Sequence, residues 1–217
     1  MWRGACTPWT VFRVLLAATW DLGEGVFRPS PLTAARSLRR IGADVVVLSG
    51  GRIDAASQLA RDAEYSYTDD GASHAGSGPP IVLSRWPLHR PQRLRLLSGA
   101  VTGVLVASPA GSVALVASQQ LAAPDADLGE GDQLMRLLAR GRFGLLAGNL
   151  GMDPNDNWWP APQLGAVATG GWGSWQRSAA TSRARGLLLY RMWDRGGGSY
   201  PAPGGGTIHW VRAAACR

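Results

Sequence analysis

The chain of 217 residues is 46% hydrophobic and carries a formal net charge of +7. That composition excludes a disordered chain and argues against a membrane-embedded one, and the length suits a single domain over residues 1–217 with a substantial core. All 22 basic side chains are arginine, scattered with no basic tail, so basicity alone does not make nucleic acid the partner.

The first apolar run, residues 11–18, is interrupted by Arg13 and is far too short to span a bilayer. No small-x-small cleavage site follows it, so a first core strand is expected rather than a signal peptide, and the cytoplasm is the default location. The run leads into Thr19, Trp20 and Asp21. Residues 31–41 repeat Leu32, Ala35, Leu38 and Ile41 at three-residue spacing, which predicts a helix. Ser30 caps it and Pro31 takes its first turn. Gly42 ends it, and residues 43–48 are a strand too uniformly apolar to have a wet face, as expected of an inner strand. A short helix is predicted over residues 55–63, a loop over 68–80 and a strand over 81–88 stopped by proline. Hairpin strands follow at 93–97, 101–107 and 112–118, with Ala110 and Gly111 as the last turn.

Residues 132–140 are predicted helical, with Leu134, Leu137 and Leu138 on one face. An apolar strand then runs into Gly148–Asn149–Leu150–Gly151 and a turn closed by Asp153 and Pro154. Residues 155–180 show no period but hold Trp158, Trp159, Trp172 and Trp175 among glycines and prolines. A buried strand is expected over 186–190. The glycine triplets 196–198 and 204–206 are read as bracketing a loop before a last strand, 207–213. Cys6 and Cys216 lie near opposite termini without metal-ligand spacing, and pair only if the termini meet. Many strands with few helices in mixed order imply two packed sheets flanked by helices.

In this order the segments resemble the endonuclease/exonuclease/phosphatase family along nearly the whole chain. Residues 14–22 are similar to its first strand, ending "T–W–N–L". Residues 41–50 are similar to "I–x–A–D–V–V–x–L–Q–E", and 80–88 to "G–I–A–I–L–S–R–x–P–L". Residues 113–121 are similar to the strand ending "T–H–L", and 148–151 to "G–D–F–N". Residues 182–185 stand where "S–R–I–D" is expected, and 207–209 where "S–D–H" is expected. The resemblance implies an α/β four-layer sandwich, two packed mixed β-sheets with helices outside. It also implies a metal-dependent phosphoesterase site, in which carboxylates hold a divalent cation and an acid–base pair works on the phosphate.

At the positions the resemblance implies for that site, this chain has Asp21 for an asparagine, Gly50 for the metal glutamate and Gln120 for a histidine. Asn149 stands for the aspartate and Gly151 for the asparagine of "G–D–F–N", while Arg185 and Ile208 replace two further aspartates. His209 alone keeps the family's catalytic type. These eight residues are expected to outline a vestigial pocket with no catalytic residue, metal or cofactor. Asp153 and Asp156 read as turn residues, and His74 and His89 as surface residues without ligand spacing. The expectation is a non-catalytic binding or structural module. Its partner is another protein or another copy of the chain, with Trp158, Trp159, Trp172 and Trp175 as the contact surface. A divergent phosphodiesterase using Asp21, Asp153 and His209 is the alternative, as is a nucleic-acid binder that does not cut. No membrane partner is expected.

Overall fold

The computed structural model describes residues 11–21, 30–49, 56–69, 80–96, 99–118, 129–149, 175–177, 185–190, 192–202 and 207–216. The first sheet holds β1 (Val11–Asp21), β2 (Val45–Ser49), β3 (Tyr67–Asp69), β4 (Ile81–Ser84), β11 (Trp193–Pro201) and β12 (Thr207–Cys216), in the order β11-β12-β1-β2-β4-β3. The second holds β5 (Leu88–Leu96), β6 (Gly99–Ser108), β7 (Gly111–Ser118), β8 (Phe143–Asn149), β9 (Trp175–Arg177) and β10 (Arg185–Tyr190), in the order β5-β6-β7-β8-β10-β9. Each sheet contains one parallel pair, β1 with β2 and β7 with β8, amid antiparallel neighbours, so both are mixed. Each parallel pair needs a crossover. The helix α1 (Pro31–Ile41) lies between β1 and β2 in the chain, and α3 (Glu130–Leu138) lies between β7 and β8.

Period-2 alternation sorts the strand residues into layers. Leu15, Ala17, Val45, Val47 and Val82 of the first sheet join Val104, Val113, Leu115, Phe143, Leu145 and Leu189 of the second in one buried cluster. The alternate residues Ala18, Trp20, Val46, Leu48, Leu83 and Ile208 pack instead with Ala35 and Leu38 of α1 and with Leu59 and Ala60 of α2 (Ala56–Asp62). On the far side Val101, Val116 and Leu146 meet Leu134, Leu137 and Leu138 of α3. The result is four layers: helices, sheet, sheet, helix. Among the described residues no helix is long and apolar enough to cross a membrane.

Local chemistry sets the ends of α1. The Ser30 side chain accepts from the Thr33 N–H at 3.3 Å, and Pro31 occupies the first turn, where it forfeits no hydrogen bond. Gly42, at φ 64°, closes the helix by donating its N–H to the Leu38 carbonyl. Asp44 then fastens the entry to β2 onto β1: its Oδ2 accepts the Leu16 N–H at 2.7 Å and Arg13 Nη2 at 2.5 Å. The buried Tyr65 hydroxyl donates to the Ala43 carbonyl at 3.0 Å. Burial, more than its Coulomb contacts with Arg85 and Asp44, pushes that phenol well above its ordinary pKa, so it remains a neutral donor.

Three elements depart from expectation. The loop expected around Gly196, Gly197 and Gly198 is the edge strand β11, paired antiparallel with β12 from Trp193↔Ala214 to Pro201↔Thr207. A bulge between Asp194 and Gly197 absorbs Gly196, whose φ is 137°. A Cβ on Gly198 would sit 3.2 Å from Trp210 Nε1, so glycine there lets the indole lie against the strand. The second departure is β3, whose residues 68 and 69 were expected in a loop. The third is β9, a three-residue strand in a segment without periodicity. Trp158, Trp159 and Trp172 lie outside the described residues, as do Cys6, His74, Asp153 and Asp156.

Candidate functional site

The direction of the strands locates the site. The rings of Phe12, at the start of β1, and Phe143, at the start of β8, meet edge-on with centroids 6.2 Å apart across the inter-sheet core. Packed sheets of this kind keep their strands within about 30° of one another. β1 and β8 therefore run the same way, and their last residues, Asp21 and Asn149, stand at the same end of the sandwich. Strand pairing brings further residues there. Asp21 is level with Ser49 at the end of β2 and with Thr207 at the start of β12. Asn149 is level with Arg185 at the start of β10, and Gly148 with Ser118 at the end of β7.

Just inside this rim the inward row of the first sheet turns polar. Leu15 and Ala17 give way on the same face to Thr19, Val47 to Ser49, and Val211 to His209. Thr19, Ser49 and His209 are 1%, 2% and 3% exposed, and His209 is the cross-strand partner of Thr19. On the second sheet Thr102 follows Val104 along the inward row of β6 toward the same end and is fully buried. The hydroxyls of Ser49 and Thr102 have no hydrogen-bond partner among the described residues. A buried hydroxyl without a partner costs free energy comparable to a lost hydrogen bond, so these two mark a place able to receive a polar group.

Of the eight residues expected to outline a pocket, the backbone places Asp21, Asn149 and Arg185 at this end, with His209 two residues inside it. Gly50, Gln120 and Gly151 lie outside the described residues. Ile208 is a correction. It packs on the helix side with Trp20 and Leu48, separated from His209 by the thickness of the sheet, because neighbours along a strand face opposite ways. Isoleucine at this position serves the outer core and does not line the pocket. Trp175 opens β9 opposite Tyr190 at the edge of the second sheet, and the other three tryptophans expected to form a contact surface lie outside the described residues. Thr19, Ser49 and Thr102 were missed in the sequence because neutral hydroxyls belong to no acid or metal-ligand motif. Alternation within an otherwise apolar strand was the one signal that could have singled them out. Among the described residues no three His, Cys, Asp or Glu side chains stand close enough to share a metal ion.

No family model matches the chain, and no curated protein matches it by sequence. Solved structures do match it by shape. An endonuclease/exonuclease/phosphatase protein from Bacteroides vulgatus superposes with a TM-score of 0.64 at 8% identity, covering 94% of this chain and 99% of that one. A second from Beutenbergia cavernae gives 0.62 at 18% identity, over 93% of this chain and 72% of that one. The catalytic domain of human nocturnin, solved with a bound sulfate anion, gives 0.61 at 10% identity, over 94% and 97%. Identities this low speak to fold alone, and together with the strand order and the four layers they show that the chain has the fold of the endonuclease/exonuclease/phosphatase proteins.

Proposed function

We propose that this protein is a non-catalytic member of that fold, serving as a binding or structural module. The observation that carries the proposal is the set of residues the strand register delivers to one end of the sandwich. They are Asp21, Ser49 and Thr207 on one sheet and Asn149 and Arg185 on the other, with His209 behind them. A hard divalent cation is held through oxygen ligands, chiefly one or two carboxylates in near-ideal geometry. Among the described residues the register brings the acid Asp21 to this rim on one sheet and Arg185 on the other, and Gly50 follows Ser49 where the resemblance calls for the metal-binding acid. The donor set does not fit the metal, and no hydrolytic step is derived through it. His209 remains a candidate base, but the resemblance's orienting aspartates are asparagine, arginine and isoleucine in this chain.

Calorimetric titration with magnesium and manganese is expected to show no stoichiometric submillimolar site. Incubation with DNA, RNA and a phosphomonoester is expected to release product no faster than buffer. Metal-dependent turnover that disappears in Asp21→Ala or His209→Ala would return the phosphodiesterase reading to first place.

As a binding module the protein needs a contact surface, and the tryptophan-rich segment from Trp158 to Trp175 supplies the residue type that dominates interface energetics. Replacing Trp158 and Trp159 together by alanine is expected to abolish an assembly detectable by light scattering while leaving the circular dichroism spectrum unchanged. Interface tryptophans commonly cost about 2 kcal/mol or more when truncated. An unfolded double variant, or one that associates as before, assigns the segment to the core or to an ordinary loop.

A further inference from the structure

The first and last strands of the chain meet at the end of the sandwich remote from the pocket. β1 pairs antiparallel with β12 from Asp21↔Thr207 at the pocket end to Val11↔Cys216 at the other. Cα atoms paired in this way lie about 4.5–5.5 Å apart, so the backbone of Cys216 stands beside that of Val11. The neighbouring rungs, Phe12↔Ala215 and Arg13↔Ala214, are anchored in the body of the protein. The Phe12 ring meets Phe143 edge-on, Ala215 is buried in the inter-sheet core, and the Arg13 guanidinium is paired with Asp44. Cys6 and Cys216 can pair only if the segments carrying them come together, and this register supplies that condition.

Cys6 precedes Val11 by five residues. Whatever path those residues follow, covalent geometry limits their span to about 18 Å, and a flexible chain of that length has an average end-to-end distance of about 12 Å. A disulfide needs its two Cα atoms about 4.4–6.8 Å apart, well within that reach of the Val11–Cys216 rung. So short a tether holds one thiol near the other at an effective concentration on the order of millimolar. A second copy of the chain at micromolar concentration competes poorly with that. The sequence contains two cysteines, so no other pairing within the chain is available.

We propose that Cys6 and Cys216 form a redox-responsive disulfide that fastens the chain ahead of β1 to the end of β12. The oxidant is a low-molecular-weight disulfide. One cysteine thiolate attacks it, forming a mixed disulfide and releasing one small thiol. The other cysteine thiolate then attacks the protein sulfur of that mixed disulfide and expels the second small thiol. The cysteine pair loses two electrons and two protons, and the small disulfide is reduced to two thiols. The bond holds in oxidising surroundings and opens where a thiol pool is kept reduced. It would close a loop over residues 6–216, nearly the whole chain, and long loops gain most from such a link in the chain-entropy account. The site lies at the opposite end from Thr19 and His209 and is independent of whether the pocket is catalytic.

The test incubates the full reduced chain with mixtures of oxidised and reduced glutathione, blocks remaining thiols with N-ethylmaleimide and digests with trypsin without reduction. The expected product is the peptide of residues 4–13 joined to that of residues 213–217, from protein that remains monomeric on a non-reducing gel. The oxidised chain should melt about 5–15 °C above the reduced one. Cys6→Ser, which leaves every described strand unaltered, should melt with the reduced chain at every glutathione ratio. Two blocked thiols in the most oxidising mixture would overturn the proposal, as would glutathione adducts that never resolve or a dimer joined through Cys6. A link that forms without raising the melting temperature would show that it does not fasten the strand ends, and overturns it as well.

Discussion

Replacing Gly148 by alanine is expected to destabilise the protein by about 3–5 kcal/mol, among the largest losses a single substitution gives. Gly148 sits at φ 121°, where a side chain is strained whatever space surrounds it. Space is also lacking: a Cβ there would lie 2.0 Å from the Ser118 carbonyl oxygen and 3.0 Å from its carbon. Ser118 is the residue level with Gly148 on the parallel neighbour β7, so the obstacle is backbone inside a sheet and cannot rotate away. For a chain of this size each kcal/mol lowers Tm by about 2–4 °C, which puts the shift at about 6–20 °C. Gly129 provides the control. It too has positive φ, 67°, but nothing lies within 4 Å of its Cβ position, so alanine there should cost only about 1 kcal/mol. A Gly148→Ala variant no less stable than Gly129→Ala would mean that β8 does not approach β7 as closely as described.

Gly148 also shows what was legible in the sequence at the site. The apolar run ending in Gly148–Asn149 was readable as a buried strand, and it forms β8, while the turn expected after it lies outside the described residues. The backbone at Gly148 requires glycine, with φ at 121° and the Ser118 carbonyl against the Cβ position. Elements with a strong local signal were equally readable. Helix α1 spans the residues its Ser30–Pro31 start and Gly42 stop delimit. The uniform apolarity of β2 reflects its burial on both faces, since it lies between β1 and β4 and between two cores. Elements whose signal is a contact were not readable. β11 carries three consecutive glycines, which locally say loop, and only its pairing with β12, where Trp210 lies against Gly198, makes it a strand. Motif position failed as a guide to orientation at Ile208 and His209. Two consecutive letters of one motif stand on opposite faces of β12, and only the pairing of that strand assigns each its side.

Trp20 is the second position where a large effect is expected, and its two variants should separate sharply. Among the described residues it is the largest of the fully buried side chains, 0% exposed, packed on the helix side among residues that include Leu48 and Ile208. Both are its cross-strand partners, on β2 and β12 respectively. Trp20→Ala leaves a cavity the size of an indole between sheet and helices and should cost about 3–5 kcal/mol. Trp20→Phe keeps most of the apolar volume and deletes an indole N–H that has no hydrogen-bond partner among the described residues. Removing a buried donor that makes no bond recovers part of what the smaller ring loses, so this variant should cost less than about 1.5 kcal/mol. Urea unfolding of both measures the difference. A phenylalanine variant as unstable as the alanine one would show that the indole N–H bonds to a group outside the described residues, and that the bond carries much of the stability. The position matters for the site because Trp20 is flanked by Thr19, in the buried polar row, and Asp21, at the end of β1. Seating the indole against the helices fixes the face that Trp20 occupies, and strand alternation then turns Thr19 toward the opposite sheet.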